Sequence, residues 1–181
     1  MIDDRIQTTE ITNDDWIRGN VDAPVTILEY GDFECPHCGA AYPVLKALVY
    51  DYPEGIRLVY RHFPITSAHP NAFTAAEAAE AAGSQGAFWE MHDLLFTHQQ
   101  QLQYEYLLSY AQLLNLDVAR FDREMRANIY APEVRHDFRQ GIEDGVNGTP
   151  TIFINRLRYD GPHQYGPMLA AINAIASVQQ R

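Results

Sequence analysis

Pro24-Val25-Thr26-Ile27-Leu28-Glu29-Tyr30, then Gly31-Asp32-Phe33-Glu34-Cys35-Pro36-His37-Cys38, then Gly39-Ala40-Ala41-Tyr42-Pro43-Val44-Leu45-Lys46-Ala47-Leu48-Val49 is the stretch on which the fold turns. Its first part is a short apolar run rich in β-favouring residues and reads as a mostly buried strand. Its last part reads as a helix, with Pro43 early enough to kink it. The chain's only two cysteines therefore sit three residues apart where a strand meets a helix. Unpaired N–H groups and the positive dipole end of a helix favour a thiolate there. Cys35 is the expected nucleophile, because cysteines so placed fall from about 8.5 to roughly 3.5–7.5. Cys38, one turn further in, is expected to be more buried and to act as the resolving thiol. His37 between them can donate a hydrogen bond or add positive charge near the Cys35 sulfur, favouring the reduced form and an oxidising disulfide.

Two plainer readings of the same residues compete. A CxxC pair can be half of a zinc site, but no other cysteine exists, and His37 is held between the two thiols. An inert structural disulfide closing so small a loop would remove little unfolded-state entropy. A second signal lies far downstream at Gly148-Thr149-Pro150, followed by the strand-like Thr151-Ile152-Phe153-Ile154. Proline at the head of a strand suits a tight turn into a sheet, either an ordinary trans turn or a cis one.

Taken together, Cys35-Pro36-His37-Cys38 with its preceding Gly31-Asp32-Phe33-Glu34, Gly148 to Asn155 and Tyr159-Asp160-Gly161 resembles the DsbA family of thioredoxin-fold thiol:disulfide oxidoreductases. The resemblance runs from about Asp22 to the C-terminus. It includes His69-Pro70, the alanine-rich run Ala75 to Ala82 and Gln85 to Asp93, which are similar to the helical insertion of bacterial members. It implies an α/β thioredoxin-like fold with an inserted all-helical subdomain, divided as a 1–23 extension, a core of 24–65 and 129–181, and an insertion of 66–128. It also implies a cis bond at Thr149-Pro150 facing the dithiol, so that Pro36, Thr149 and Pro150 line a groove for substrate backbone and Pro150 keeps metal from bridging the sulfurs. The Pro-His pair is typical of the oxidising branch.

Glu29 is a carboxylate inside a run that wants burial, which is costly unless paired or hydrated. The resemblance places an acidic residue beneath the dithiol to assist proton transfer from the resolving cysteine, so Glu29 is expected to tune Cys38. Arg61 is the expected partner, with Arg57 on the same strand face. The plainer reading is a satisfied carboxylate on an edge strand.

The rest reads as one compact domain, since 181 residues with 46% apolar content suffice for a full core. Ile56 to Phe63 is expected as the second core strand. Helical periodicity then holds to about Asn128, with apolar stripes at Tyr104, Leu107, Leu108, Ala111 and Leu114 and at Phe88, Met91, Leu94 and Leu95. His69-Pro70 is expected to begin a helix. Pro132 suits the first turn of a helix to about Asp144. Strands at 151–155 and 157–159 should pair around a tight turn, although Asn155-Arg156 departs from the preferred Asn-Gly. A helix from Pro167 to about Gln179 closes the chain.

Thirteen basic against 24 acidic residues give a formal charge of −11, which argues against nucleic-acid partners. No run of 18 apolar residues is present, so no membrane span is expected. Met1-Ile2-Asp3-Asp4-Arg5 lacks the features of a signal peptide, pointing to the cytoplasm, with a periplasmic or extracellular protein stripped of its signal as the alternative. The remaining histidines, among them His62, His69, His92, His98, His136 and His163, lack ligand spacing and read as ordinary residues. No cofactor and no metal are called for. Three functional classes stand: dithiol–disulfide exchange with thiol- or disulfide-bearing protein substrates and an unidentified redox partner; a redox-inert peptide-binding or chaperone module; and a zinc protein. Thr149 before the proline leaves isomerase activity open beside exchange.

Overall fold

In the computed structural model, which describes residues 2–7 and 10–179, the strand and helix flanking the dithiol form the centre of the molecule. Strand β1 (Ile2–Gln7) and β2 (Trp16–Arg18) precede β3 (Val25–Gly31). Helix α1 (Pro36–Asp51) then crosses over to β4 (Ile56–His62), which lies parallel to β3 with Val25 opposite Ile56 and Gly31 opposite His62. Such a parallel pair requires a crossover of this length, and α1 supplies it. Pro36 occupies the first turn of α1, where its missing N–H costs nothing. The helix thus starts three residues before the expected Gly39, and Pro43 lies inside it without ending it.

Helices α2 (Ala72–Gly83), α3 (Phe88–Thr97), α4 (Tyr104–Leu113) and α5 (Val118–Arg126) follow as a block, and α6 (Ala131–Glu143) leads back to the sheet. The apolar stripes read from the sequence line this block: Phe88, Met91 and Leu95 of α3 and Leu107 and Ala111 of α4 are buried together with Phe33, Tyr60 and Phe121. Helix α2 is the axis, with seven alanines buried along it beside α3, α4, α5 and α6. Its start is Ala72, not the expected His69-Pro70, because the backbone before it is spent on turns, with the N–H groups of Ala68 and His69 both donating to the Ile65 carbonyl and that of Asn71 to Glu34.

Strands β5 (Thr151–Ile154) and β6 (Leu157–Tyr159) form the expected hairpin, and α7 (Tyr165–Gln179) ends the described chain. The sheet order is β1-β6-β5-β3-β4-β2, with β3 and β5 antiparallel at its middle. Asn155 and Arg156 both take positive φ, 47° and 72°, as a type I′ turn demands. A β-turn lacking glycine is held there by Asn155, whose Oδ1 accepts the Thr26 N–H at 2.7 Å while its own N–H donates to the Thr26 carbonyl at 2.9 Å.

Alternation sorts the sheet into two faces. Ile27, Leu58, Ile152 and Ile154 face α1 and α7, meeting Leu45, Leu48, Met168 and Ile172. Leu28, Tyr30, Val59 and Phe153 face the other way, toward Val146 and Phe138 of α6.

Candidate functional site

Cys35 is the N-cap residue of α1, in extended conformation, and its N–H donates to the Asp32 carbonyl at 3.1 Å. Asp32 is a buried knot in this turn. Its carboxylate accepts the N–H of Glu34 at 2.8 Å and of Ile65 at 2.8 Å, and lies 2.7 Å from His69 Nδ1. Glu34 in turn accepts from Asn71, from its backbone N–H at 2.6 Å and its side-chain amide at 2.8 Å, immediately before α2. From the far side, Gln99 just beyond α3 uses one amide nitrogen to donate to the carbonyls of Phe33 and Cys35, each at 2.8 Å. The loop carrying the nucleophile is thereby tied to both the sheet and the helical block.

The two thiols are unbridged. The Cys35 Sγ lies 3.3 Å from the Thr149 carbonyl, so the two turns singled out in the sequence meet across 114 positions of chain. The Thr149–Pro150 peptide is cis. Cys35 is lowered to about 5, first by a hydrogen bond from the Cys38 thiol, with burial opposing, then by the Thr149 side chain and the N–H groups of Cys38 and His37. That is the pattern expected of a sulfur at a helix N-terminus. Cys38 is fully buried and moves the opposite way, raised by burial first, then by its hydrogen bond to Cys35 and the charge of Glu29. The side chains of Pro36 and His37 are exposed at the mouth of the site.

Glu29 lies beneath this pair on β3, 1% exposed, and its Oε1 has no hydrogen-bond partner. Burial, and secondarily negative charge on Cys35, pushes it up to about 8. The expected pairing with Arg61 does not occur. Glu29 stands in register with Tyr60, and Tyr30 with Arg61, so Arg57 and Arg61 occupy the opposite sheet face. There Arg61 pairs with Asp15 at 2.6 Å and with the Tyr30 hydroxyl at 3.0 Å. The edge-strand reading fails as well, because β3 is flanked by β5 and β4. Glu29's neighbour is instead Tyr60, whose buried hydroxyl also lacks a partner and lies against Gly31, where an added Cβ would come within 2.8 Å of it.

Three residues beside the dithiol escaped the sequence reading. His69 opposes burial with the Asp32 carboxylate and the charge of Cys35, which hold its pKa above the usual value. His163 borders a cavity of about 200 Å³ with Pro150, Asp160 and Gly161, and burial and then the neighbouring His37 lower its pKa. Gln99 is the third. Only His69 had a signal nearby, the adjacent Pro70. Among the described residues no three His, Cys, Asp or Glu side chains are arranged to hold a metal, and no helix is long and apolar enough to cross a membrane.

Comparison with known proteins yields both sequence relatives and structural neighbours. A relative named Na(+)/H(+) antiporter NhaA 3, from Salinispora tropica, is 47% identical over 168 residues, which cover 92% of this chain and 26% of the relative. The NhaA 1 relative of Salinispora arenicola is 48% identical over the same shares. The chain thus spans about a quarter of the length of the curated relatives it matches. Oxidised BdbD of Bacillus subtilis superposes with a TM-score of 0.84 at 20% identity, covering 95% of this chain and 98% of that one. A thioredoxin-like oxidoreductase of Silicibacter pomeroyi gives 0.79 at 28% identity, covering 92% and 94%, and DsbA2 of Pseudomonas aeruginosa gives 0.74 at 26%, covering 93% and 98%. A family model described as Thioredoxin matches residues 11–174, so the chain belongs to that family, and its helical block set into a thioredoxin-like core gives it the fold of the DsbA-type structures.

Proposed function

We propose that this chain is a thiol:disulfide oxidoreductase working through Cys35 and Cys38. The observation that carries the reading is geometric: Cys35 caps α1 3.3 Å from the Thr149 carbonyl of the cis Thr149–Pro150 turn, with Cys38 fully buried behind it, an arrangement that pulls the outer thiol's pKa down to about 5 and pushes the inner one's up. In the oxidising direction a substrate thiolate attacks Cys35 of the Cys35–Cys38 disulfide. A mixed disulfide forms on Cys35, and Cys38 leaves with the electron pair and takes a proton. A second substrate thiolate attacks the substrate sulfur of the mixed disulfide and expels Cys35 as thiolate. The substrate has then lost two electrons, and the enzyme pair has gained them.

Each nearby group has a part. Cys35 is the better leaving group because its anion is stabilised. Glu29, poised near 8, supplies the Cys38 proton in this direction and accepts it in the reverse one. His37 contributes its backbone N–H to the Cys35 anion, and its exposed imidazole stands where an incoming thiol arrives. Pro36, Thr149 and Pro150 form the wall against which the substrate backbone lies. The helices within 66–128 serve as an insertion on a core of 24–65 and 129–181, with 1–23 as an extension. The substrates are protein thiols or disulfides, and a redox partner resets the pair. The relatives named as Na(+)/H(+) antiporters make a larger membrane-associated polypeptide a fitting setting for such a unit.

The test is insulin reduction and dithiol oxidation by the purified chain and two variants. Cys35→Ser should abolish both, whereas Cys38→Ser should accumulate a mixed disulfide on Cys35. Full activity in Cys35→Ser would overturn the proposal.

A further inference from the structure

Helix α6 carries Arg135, Phe138, Arg139 and Ile142 at spacings of three, four and seven, and therefore on one face. That face is turned outward: both arginines are exposed, and Ile142 is 56% exposed. Between it and the Pro64–Ser67 loop run two adjoining depressions of about 280 and 300 Å³, which share Pro64, Thr66 and Phe138. Phe73 closes one end, with Arg135 stacked 5.5 Å above its ring, and Val146 and Asn147 close the other.

Two properties set this groove apart. The first is its charge. The chain has 24 acidic and 13 basic residues, yet no Asp or Glu lines either depression, and two guanidinium groups do. Arg139 has no hydrogen-bond or ion-pair partner among the described residues, and Arg135, besides its contact with the Phe73 ring, opposes through its charge the rise that burial gives the pKa of the buried Glu77. The second is its continuity with the thiol. One wall, Ile65, donates to Asp32, whose carbonyl receives the Cys35 N–H. The other wall ends at Asn147, two residues before the Thr149 carbonyl that lies 3.3 Å from the Cys35 Sγ. The walls of this basic, apolar groove are thus fastened to both of the turns that meet at Cys35.

We propose that this groove seats the substrate segment flanking the reacting cysteine, and that Arg135 and Arg139 select segments in which an acidic side chain accompanies apolar ones. The assignment rests on the exchange activity proposed above and adds to it a substrate class. Phe138 and Ile142 take the apolar side chains, and the guanidinium pair takes the carboxylate, a geometry for which arginine forks are suited.

The experiment uses two short peptides, each with one cysteine activated as a thiopyridyl disulfide, one bearing leucine and glutamate beside it and the other leucine and lysine. The uncharged control is hydroxyethyl thiopyridyl disulfide. Attack by reduced Cys35 on the peptide sulfur releases thiopyridone, read by absorbance. Wild type should react roughly fivefold faster with the glutamate peptide, the worth of two exposed ion pairs, and high salt should erase the preference. In Arg135→Glu/Arg139→Glu the preference should invert while the control rate stays the same. Equal peptide rates in wild type, or a preference surviving the double substitution, would overturn the groove assignment alone. No attack on the control would overturn the exchange reading and the groove with it. Cosedimentation with anionic phospholipid vesicles, lost in the double variant and unaccompanied by a peptide preference, would assign the face to a membrane surface and overturn the proposal.

Discussion

Replacing Glu29 by glutamine tests the environment beneath the dithiol through stability, independently of activity. The carboxyl titrates near 4.5 when solvated and near 8 in the folded chain, because burial penalises its anion and a charged Cys35 adds to that penalty. The folded state therefore holds this proton more tightly than the unfolded state. Below pH 4.5 both states are protonated and the site costs nothing. Between 4.5 and about 8 only the unfolded state ionises, so stability falls as pH rises, by about 1.4 kcal/mol per unit. Above 8 both are ionised and the loss levels off at an amount on the order of 5 kcal/mol. Glutamine has a similar shape and no proton to lose, so Glu29→Gln should match wild type near pH 5 and exceed it increasingly toward pH 9. Urea unfolding of the reduced proteins across pH 5–9, followed by circular dichroism, measures this directly. The difference should shrink in a Cys35→Ser background, where the second cause is gone. Parallel stability curves for wild type and Glu29→Gln would refute the reasoning, since they would mean that the carboxyl is solvated or paired after all.

Alkylation of Cys35 by iodoacetamide should follow a titration centred near pH 5, and Cys38→Ala should move it upward because the largest stabilising hydrogen bond is removed; a wild-type midpoint near the ordinary thiol value of about 8.5 would contradict the site's electrostatics. Gln99→Ala should cost about 1–2 kcal/mol in chemical unfolding, two backbone carbonyls losing their donor, and should slow thiol exchange as the Cys35 turn loosens; unchanged exchange would show that the clamp is incidental. Arg61→Ala should cost about 3–5 kcal/mol by leaving Asp15 uncompensated, while sparing the Cys35 titration because Arg61 lies on the opposite sheet face. A shift of that titration in the Arg61 variant would revive the pairing with Glu29.

The chemistry was legible because it is written in rare residues at punctuated places. Two cysteines bracketing Pro36 and His37 stand at a strand–helix junction, and Pro150 stands at the head of a strand; the proline alone reads as an ordinary turn and gains its meaning from the dithiol. The places of the core strands along the chain and the helical stretch were equally open, since apolar period changes from two to three or four around Phe63. Strand alternation, however, gives which residues share a face and not which face meets which partner. Arg57 and Arg61 do share one, but Glu29 is on the other. The three-residue β2 is too short to show a period, and its pairing with β4 depends on the fold already being present. Gln99 holds the Cys35 turn and His163 borders Pro150 from loops far along the chain, and nothing local to either residue records those contacts.

Helix α2 has a consequence that reaches beyond the thiols. Seven methyl side chains let four other helices approach its backbone closely, so its spacing is set by what is missing from it. Any residue larger than alanine there would act as a wedge, prising the helical block off the sheet and dragging the Asn71 and Gln99 anchors away from the Cys35 turn. In a saturation-mutagenesis map this featureless run of alanine should therefore stand out as sharply intolerant as the cysteines, for reasons of volume and not of reactivity.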